Sequence, residues 1–139
     1  MSFEGGILVD RVAYAKARAE LGAGFARILG YFREDGLKSL DALEKAVRAR
    51  DATAMVIPAH TLKGEARQFG AEPLAALAEK IEAHARSCVE RRDTPEDAIE
   101  DVVSLRPLFE ATLVLLQREA APPAPVARRP AGGFGRRVG

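Results

Sequence analysis

Apolar side chains recur every three or four positions through the first 121 residues of this 139-residue chain, the spacing of one helix face. No stretch alternates apolar and polar residues for long enough to indicate a strand. The clearest stripe consists of Met55, Ala59, Leu62, Ala66 and Phe69. The positions between are rich in Ala, Leu, Glu, Lys and Arg, which favour helix. We therefore predict an all-α fold, an antiparallel four-helix bundle with a short extra N-terminal helix.

Helix-capping and helix-breaking residues predict where the first helices lie. Asp10 is a suitable N-cap for a short helix over about residues 10–19. Gly36 should bend or split the long helical stretch that follows. A further helix is expected over about residues 52–69, and Gly70 should end it.

The last helix should begin after the loop at residues 91–95 and run to about residue 120. Thr94 fits an N-cap, because a proline follows it at the favoured first helical position. Ile99 is expected to be the first of its inward-facing residues. Pro107 should kink the helix, because proline lacks the N–H that a helical hydrogen bond needs.

The C-terminal segment differs sharply in composition from the rest of the chain. Residues 122–139 are rich in Pro, Gly and Arg and contain no acid, so we predict a disordered tail after a bundle over residues 1–121. Four of the 21 basic residues are arginines of this tail. Residues 1–121 therefore contain 17 basic residues and 20 acidic ones. This mildly acidic body argues against a nucleic-acid-binding domain.

Composition also excludes several kinds of site. One cysteine and two histidines are too few for a disulfide framework or a metal centre, so we expect neither metal nor cofactor. Cys88 is interpreted as a buried, inert thiol and His84 as a packed or edge residue of the same helix. The apolar runs are too short to cross a membrane, and the first ten residues lack the pattern of a secretion signal. We therefore expect a cytoplasmic protein without membrane contact.

One helix surface brings together residues suited to phosphate chemistry. On a helix over residues 52–69, His60, Lys63, Gly64 and Arg67 share a side that lies away from the apolar stripe. An exposed imidazole is a nucleophile in its neutral form, and the two cations would attract phosphate oxygens. Val56, one turn before His60, would add a small apolar contact.

Gly64 is the least expected member of this set. A glycine inside a helix costs about 1 kcal/mol relative to alanine. An exposed histidine without a role would leave that cost unexplained. Access for an approaching partner explains it, since glycine removes the side chain one turn after His60.

The segment AHTLKGEARQFGAEPLAALAEKIE, residues 59–82, resembles the signature of histidine-containing phosphotransfer (HPt) domains. The similarity extends over most of residues 9–118. It implies a four-helix bundle in which His60 is the phosphorylated residue and Lys63 and Gly64 are its usual neighbours. In this family a Glu or Gln of the next helix often binds the other ring nitrogen, and Glu82 stands at that place. Glu65 departs from the pattern and would bring a negative charge near the site.

The resemblance implies a phosphocarrier without kinase or ATPase activity of its own. We expect it to relay phosphoryl groups between aspartates of response-regulator receiver domains in a bacterial two-component pathway, supplied by a hybrid histidine kinase. Mg²⁺ would be held by the receiver. The chain should be a monomer and should dock through Val56, Gly64 and Gln68.

Two other functions stay open at this point. A helical adaptor could bind a receiver without phosphotransfer, which would make His60 incidental. A degenerate dimerisation module of a histidine kinase would instead form an obligate dimer with a paired-helix core. The lysine and glycine that follow His60 by three and four residues favour the HPt interpretation.

Overall fold

The computed structural model describes residues 7–120, and the predicted all-α bundle is confirmed. Its helices are α1 (Arg11–Leu21), α2 (Phe25–Arg48), α3 (Ala52–Gln68), α4 (Glu72–Arg91) and α5 (Ile99–Ala120), with short 3₁₀ helices at Gly22–Gly24 and Glu96–Ala98. The long helices pack in cyclic order, with α3 between α2 and α4, and α5 closing the ring. The predicted disorder of residues 122–139 lies outside the described residues.

A line of aromatic rings crosses the core from α1 to α5. Tyr14 packs edge-on against Phe25 at 5.5 Å between ring centroids, and Phe25 packs likewise on Phe69 at 5.6 Å. Phe32 continues the line, 5.2 Å from Phe69 and 5.4 Å from Phe109. These large buried surfaces hold α2 in contact with both its neighbours.

Gly36 lets α2 and α5 approach each other. The helix α2 continues through Gly36 without a break. Of the bend or split predicted at this glycine, the split does not occur. A Cβ at this position would lie 2.5 Å from Cζ of Phe109, closer than two carbons can approach. The glycine is therefore required by the packing of the Phe109 ring on α2.

Helix α1 closes the end of the bundle at which α3 turns into α4. Asp10 caps α1, as predicted, by accepting from the N–H groups of Val12 and Ala13, and its own N–H donates to Gly70 O at 2.7 Å. Gly70 ends the preceding helix with φ +75°, a conformation that glycine adopts without strain. Any Cβ there would also lie 2.9 Å from Ala13 Cβ.

The start of α5 differs from the sequence-based prediction. Thr94 caps no helix: its hydroxyl donates to Glu96, and a 3₁₀ turn precedes the first α-helical residue, Ile99. Ile99 is exposed, not inward-facing, because the 3₁₀ turn leaves it at the edge of the groove between α2 and α5.

The helix α5 continues past Pro107. The N–H that proline lacks would lie on the solvent side, where water can satisfy the carbonyl of Val103.

Two acidic residues meet between α2 and α3. Glu65 is half-buried, and burial, followed by the charge of Asp35 and a hydrogen bond with it, raises the pKa of the Glu65 carboxyl to about 7. A large share of Glu65 therefore carries a proton near neutral pH, which lets the two carboxyl groups lie together.

Replacing Gly36 with alanine should destabilise the bundle by about 1–3 kcal/mol, because the methyl group collides with Phe109. Gly30 is the matched control: it lies on the same helix, and a Cβ there meets nothing within 4 Å. Gly30→Ala should stabilise by about 0.5–1 kcal/mol through helix propensity. Urea unfolding followed by circular dichroism measures both changes, and equal effects would contradict the steric role of Gly36.

Glu65 should make stability fall as pH rises from about 4.5 to about 7, because the folded state holds its proton more tightly than the unfolded chain. Glu65→Gln removes this titration. The stability of the variant relative to wild type should therefore increase as pH rises from about 4.5 to about 7. Urea midpoints at several pH values test this, and a constant difference would show that the proton is not held.

Candidate functional site

The helix α3 carries His60 on its outward side. Asp51 caps the helix by accepting from Ala54 N at 3.1 Å, and the apolar stripe that includes Ala59 and Leu62 is fully buried. His60 follows Ala59 and is therefore turned out of the core, with 61% of its side chain exposed. This is the orientation that the helix geometry predicts.

A buried carboxylate of α4 holds the ring of His60 from behind. Glu82 Oε2 lies 3.0 Å from His60 Nδ1, although only 7% of the Glu82 side chain is exposed. Lys63 Nζ lies 2.8 Å from the other oxygen, Oε1. Arg86 donates to Oε2 from Nε at 3.0 Å, with a second guanidinium nitrogen at 2.9 Å. One carboxylate therefore binds three nitrogen-bearing side chains.

These contacts decide the charge of Glu82. Burial alone raises the pKa of its carboxyl group, but hydrogen bonds from Lys63, Arg86 and His60, together with the charge of Lys63, outweigh burial and lower the pKa to about 2. Glu82 is thus ionised throughout the neutral range. A buried charge of this kind is tolerated because Lys63, Arg86 and His60 all place a nitrogen within 3.0 Å of one of its two oxygens.

The ionised carboxylate also fixes which ring nitrogen of His60 carries the proton. A carboxylate has only acceptor sites, so the contact with Nδ1 requires a proton on Nδ1. In the neutral ring the lone pair is then on Nε2. Since Nδ1 faces Glu82, Nε2 is on the exposed side of the imidazole, where it can act as a nucleophile or accept a proton.

Three of the predicted neighbours lie in one line with His60. Val56, His60, Gly64 and Gln68 follow each other at four-residue steps along α3, so they form a ridge on its outer surface. Gly64 and Gln68 are exposed and Val56 is half-buried. A Cβ at Gly64 would meet nothing within 4 Å, so packing within the described residues does not require a glycine there.

Lys63 lies at the site but points inward. Only 18% of its side chain is exposed, compared with 61% for His60, and its ammonium group binds Glu82. It supplies positive charge beside the imidazole while it neutralises the carboxylate. The structure therefore brings together His60, Lys63 and Glu82, as the resemblance implied.

Two other residues lie apart from this cluster. Arg67 binds Glu79 at 2.8 Å and approaches Glu72 at 3.9 Å, so its charge is paired one turn further along α3. Glu65, expected to bring negative charge near the site, faces Asp35 of α2 and is partly protonated near neutral pH. Its position five residues after His60 places it on another side of the helix.

Sequence reasoning missed Arg86, although a signal was present. Arg86 follows Glu82 by four residues on α4, the spacing at which opposite charges pair on a helix.

Sequence reasoning also missed an apolar groove beside the site, between α3 and α4. The groove is lined by Thr53, Val56, Ile57, Arg86, Val89 and Glu90. Ile57 and Val89 lie outside the apolar stripes, so only the packing of the two helices reveals their proximity.

Within residues 7–120, no group of three or more metal-ligating side chains converges on one point. The second histidine, His84, lies with its Nε2 3.4 Å from the sulfur of Cys88, which is buried. None of the helices in the described part of the chain combines the length and apolar character needed to cross a membrane.

Comparison with known proteins places this chain in a family. The crystal structure of histidine-containing phosphotransfer protein B (HptB) from Pseudomonas aeruginosa PAO1 is similar, with a TM-score of 0.72 and 24% sequence identity over 83% of this chain and 96% of that chain. At this identity the likeness shows the fold. No curated protein sequence matches the chain significantly. The sequence model of the Hpt domain matches residues 27–119, about two thirds of the chain. The chain therefore belongs to the Hpt domain family, the histidine phosphotransfer proteins of phosphorelays.

Proposed function

We propose that His60 accepts a phosphoryl group from the aspartyl phosphate of one receiver domain and donates it to an aspartate of a second. The observation that carries this proposal is the exposed imidazole whose Nδ1 is held by the buried, ionised Glu82. The structural neighbour is named a histidine-containing phosphotransfer protein, and the same activity is proposed for this chain.

The transfer balances without a further reactant. The Nε2 lone pair forms the new P–N bond as the bond between phosphorus and the aspartyl oxygen breaks, and that electron pair returns to the aspartate. The ring gains positive charge in this step, and the Glu82 carboxylate 3.0 Å from Nδ1 stabilises it. Transfer to the second receiver is the reverse reaction, which suits a protein that contributes positioning and charge.

The charges around His60 favour an anionic group. Lys63 and Arg86 together exceed the single negative charge of Glu82 by one. The phosphoryl group would therefore arrive at a site of net positive charge. Mg²⁺ is expected on the receiver, where it would neutralise the phosphoryl oxygens.

The partner surface we propose is the ridge of Val56, Gly64 and Gln68 together with the neighbouring groove. Ile57 and Val89 expose apolar area in the groove that Val56 and Arg86 also line, and burial of that area would favour docking. We further propose that the chain acts as a cytoplasmic monomer, receives its phosphoryl groups from a hybrid histidine kinase by way of a receiver, and has no kinase or ATPase activity.

His60→Gln should abolish labelling by receiver domains charged with acetyl phosphate and leave the fold intact. His84→Gln is the matched control, because His84 is the other histidine of the chain and lies with Cys88. Acid-labile, base-stable phosphate on wild type and His84→Gln, but not on His60→Gln, is the expected result. Transfer is read from autoradiographs of the separated proteins, and circular dichroism verifies folding.

The opposite result would support the alternative function, a helical adaptor that binds a receiver without phosphotransfer. If no receiver labels the folded wild-type chain, and one still binds wild type and His60→Gln equally well by calorimetry, phosphotransfer through His60 is excluded.

Gly64→Ala should separate stability from function. The methyl group has free space within the chain, so the variant should be about 0.5–1 kcal/mol more stable, like Gly30→Ala. It should nevertheless lower the rate of transfer from a receiver about tenfold or more, because it occupies the approach to His60. Unchanged transfer in Gly64→Ala would show that the glycine does not serve partner access.

A further inference from the structure

We infer that Arg86 is a positioning residue that acts through Glu82 to lengthen the lifetime of phosphorylated His60. It would do so by limiting the negative charge that Glu82 presents to Nδ1. This role rests on His60 being the phosphoacceptor, as proposed above, but it concerns stability of the phosphorylated state and needs no receiver domain.

The evidence is the sharing of one oxygen. Glu82 Oε2 accepts from His60 Nδ1 at 3.0 Å and from Arg86 Nε at 3.0 Å, and a second guanidinium nitrogen of Arg86 lies 2.9 Å from the same oxygen. A cation on the same oxygen withdraws electron density from the bond to Nδ1. Arg86 therefore weakens the attraction between Glu82 and a positively charged imidazole.

The charged groups around this carboxylate are few in the described residues. Lys63 and His60 contact it from α3, and Arg86 contacts it from its own helix. The next charged pair on the same two helices is Arg67 with Glu79, which bind each other. Glu65 faces Asp35 of α2. The negative charge that Glu82 presents to Nδ1 is thus limited chiefly by Lys63 and Arg86.

The negative charge at Nδ1 affects how fast the phosphorylated ring is hydrolysed. When water attacks the phosphorus, the P–N bond breaks and its electron pair returns to Nε2, with inorganic phosphate as the other product. The ring leaves easily only when Nδ1 is protonated, because it then departs as neutral imidazole. A more negative Glu82 favours the protonated ring and speeds hydrolysis, whereas Arg86 opposes this and slows it.

Arg86 tests this role more cleanly than Lys63. Removing Lys63, which is 18% exposed, leaves the buried Oε1 of Glu82 without its ion-pair partner and threatens the fold. The Arg86 side chain is 57% exposed, and its removal leaves Glu82 Oε2 in contact with His60 Nδ1. Arg91 is a matched control: it lies on the same helix, is also 57% exposed, and binds Ser87 and Asp93 instead of Glu82.

The experiment uses potassium phosphoramidate, a small phosphoryl donor, to label the full chain without any receiver. After removal of the donor, ³¹P NMR follows the loss of phosphohistidine with time at several pH values. Arg86→Gln should shorten the half-life near neutral pH about fivefold, a change of roughly 1 kcal/mol in the barrier. Arg91→Gln should match wild type, and Arg86→Lys should recover part of the lifetime.

A double variant establishes that Arg86 acts through Glu82. Glu82→Gln removes the charge and should lengthen the half-life, and adding Arg86→Gln to it should change little. A wild-type half-life in Arg86→Gln, or an undiminished effect in the Glu82→Gln background, overturns the inference. So does equal shortening by Arg91→Gln, which would indicate a general effect of net charge.

Failure of this inference can be told apart from failure of the proposed function. If phosphoramidate labels wild type but no receiver does, the relay fails and the lifetimes remain measurable. If receivers label His60 and Arg86→Gln has a normal lifetime, only the role of Arg86 fails. Equal labelling of His60→Gln, or no labelling of wild type, contradicts the exposed nucleophile on which both rest.

Discussion

The ion cluster around Glu82 connects the fold of this chain to its chemistry. A carboxylate buried between two helices is strongly unfavourable unless donors surround it, and here α3 and α4 provide three. The cluster keeps Glu82 ionised, which in turn places the proton of His60 on Nδ1 and the lone pair on exposed Nε2. The packing of α3 against α4 therefore decides which atom of the ring can react.

The inner and outer sides of helix α3 have different roles. Its inner side is a fully buried apolar stripe that fixes its position among α2 and α4. Its outer side gives up helix stability at Gly64, which has no packing role within the described residues, and Pro58 weakens the same helix from another side. Glycine and proline both weaken a helix interior. The buried side compensates for this, so the reactive side can stay open to a partner.

Glycines have two different roles in this bundle. Gly36 is required by the fold, because the ring of Phe109 occupies the space of its Cβ. Gly64 faces open space and is explained by the proposed approach of a partner. The same residue type is thus a packing requirement between α2 and α5 and a functional feature on α3.

The sequence by itself determined the helical class, the approximate helix ends and the exposure of His60, because these depend on spacing along one helix. The resemblance to HPt domains added Glu82, whose contact with Nδ1 is present. The start of α5 was misjudged, because a 3₁₀ turn depends on local geometry that capping patterns do not reveal. Only the tertiary structure decided that Arg86 joins Glu82, that Arg67 pairs with Glu79, and that Ile57 and Val89 share a groove. These facts depend on how α3 and α4 pack against each other, and spacing within one helix carries no information about the rotation of its neighbour.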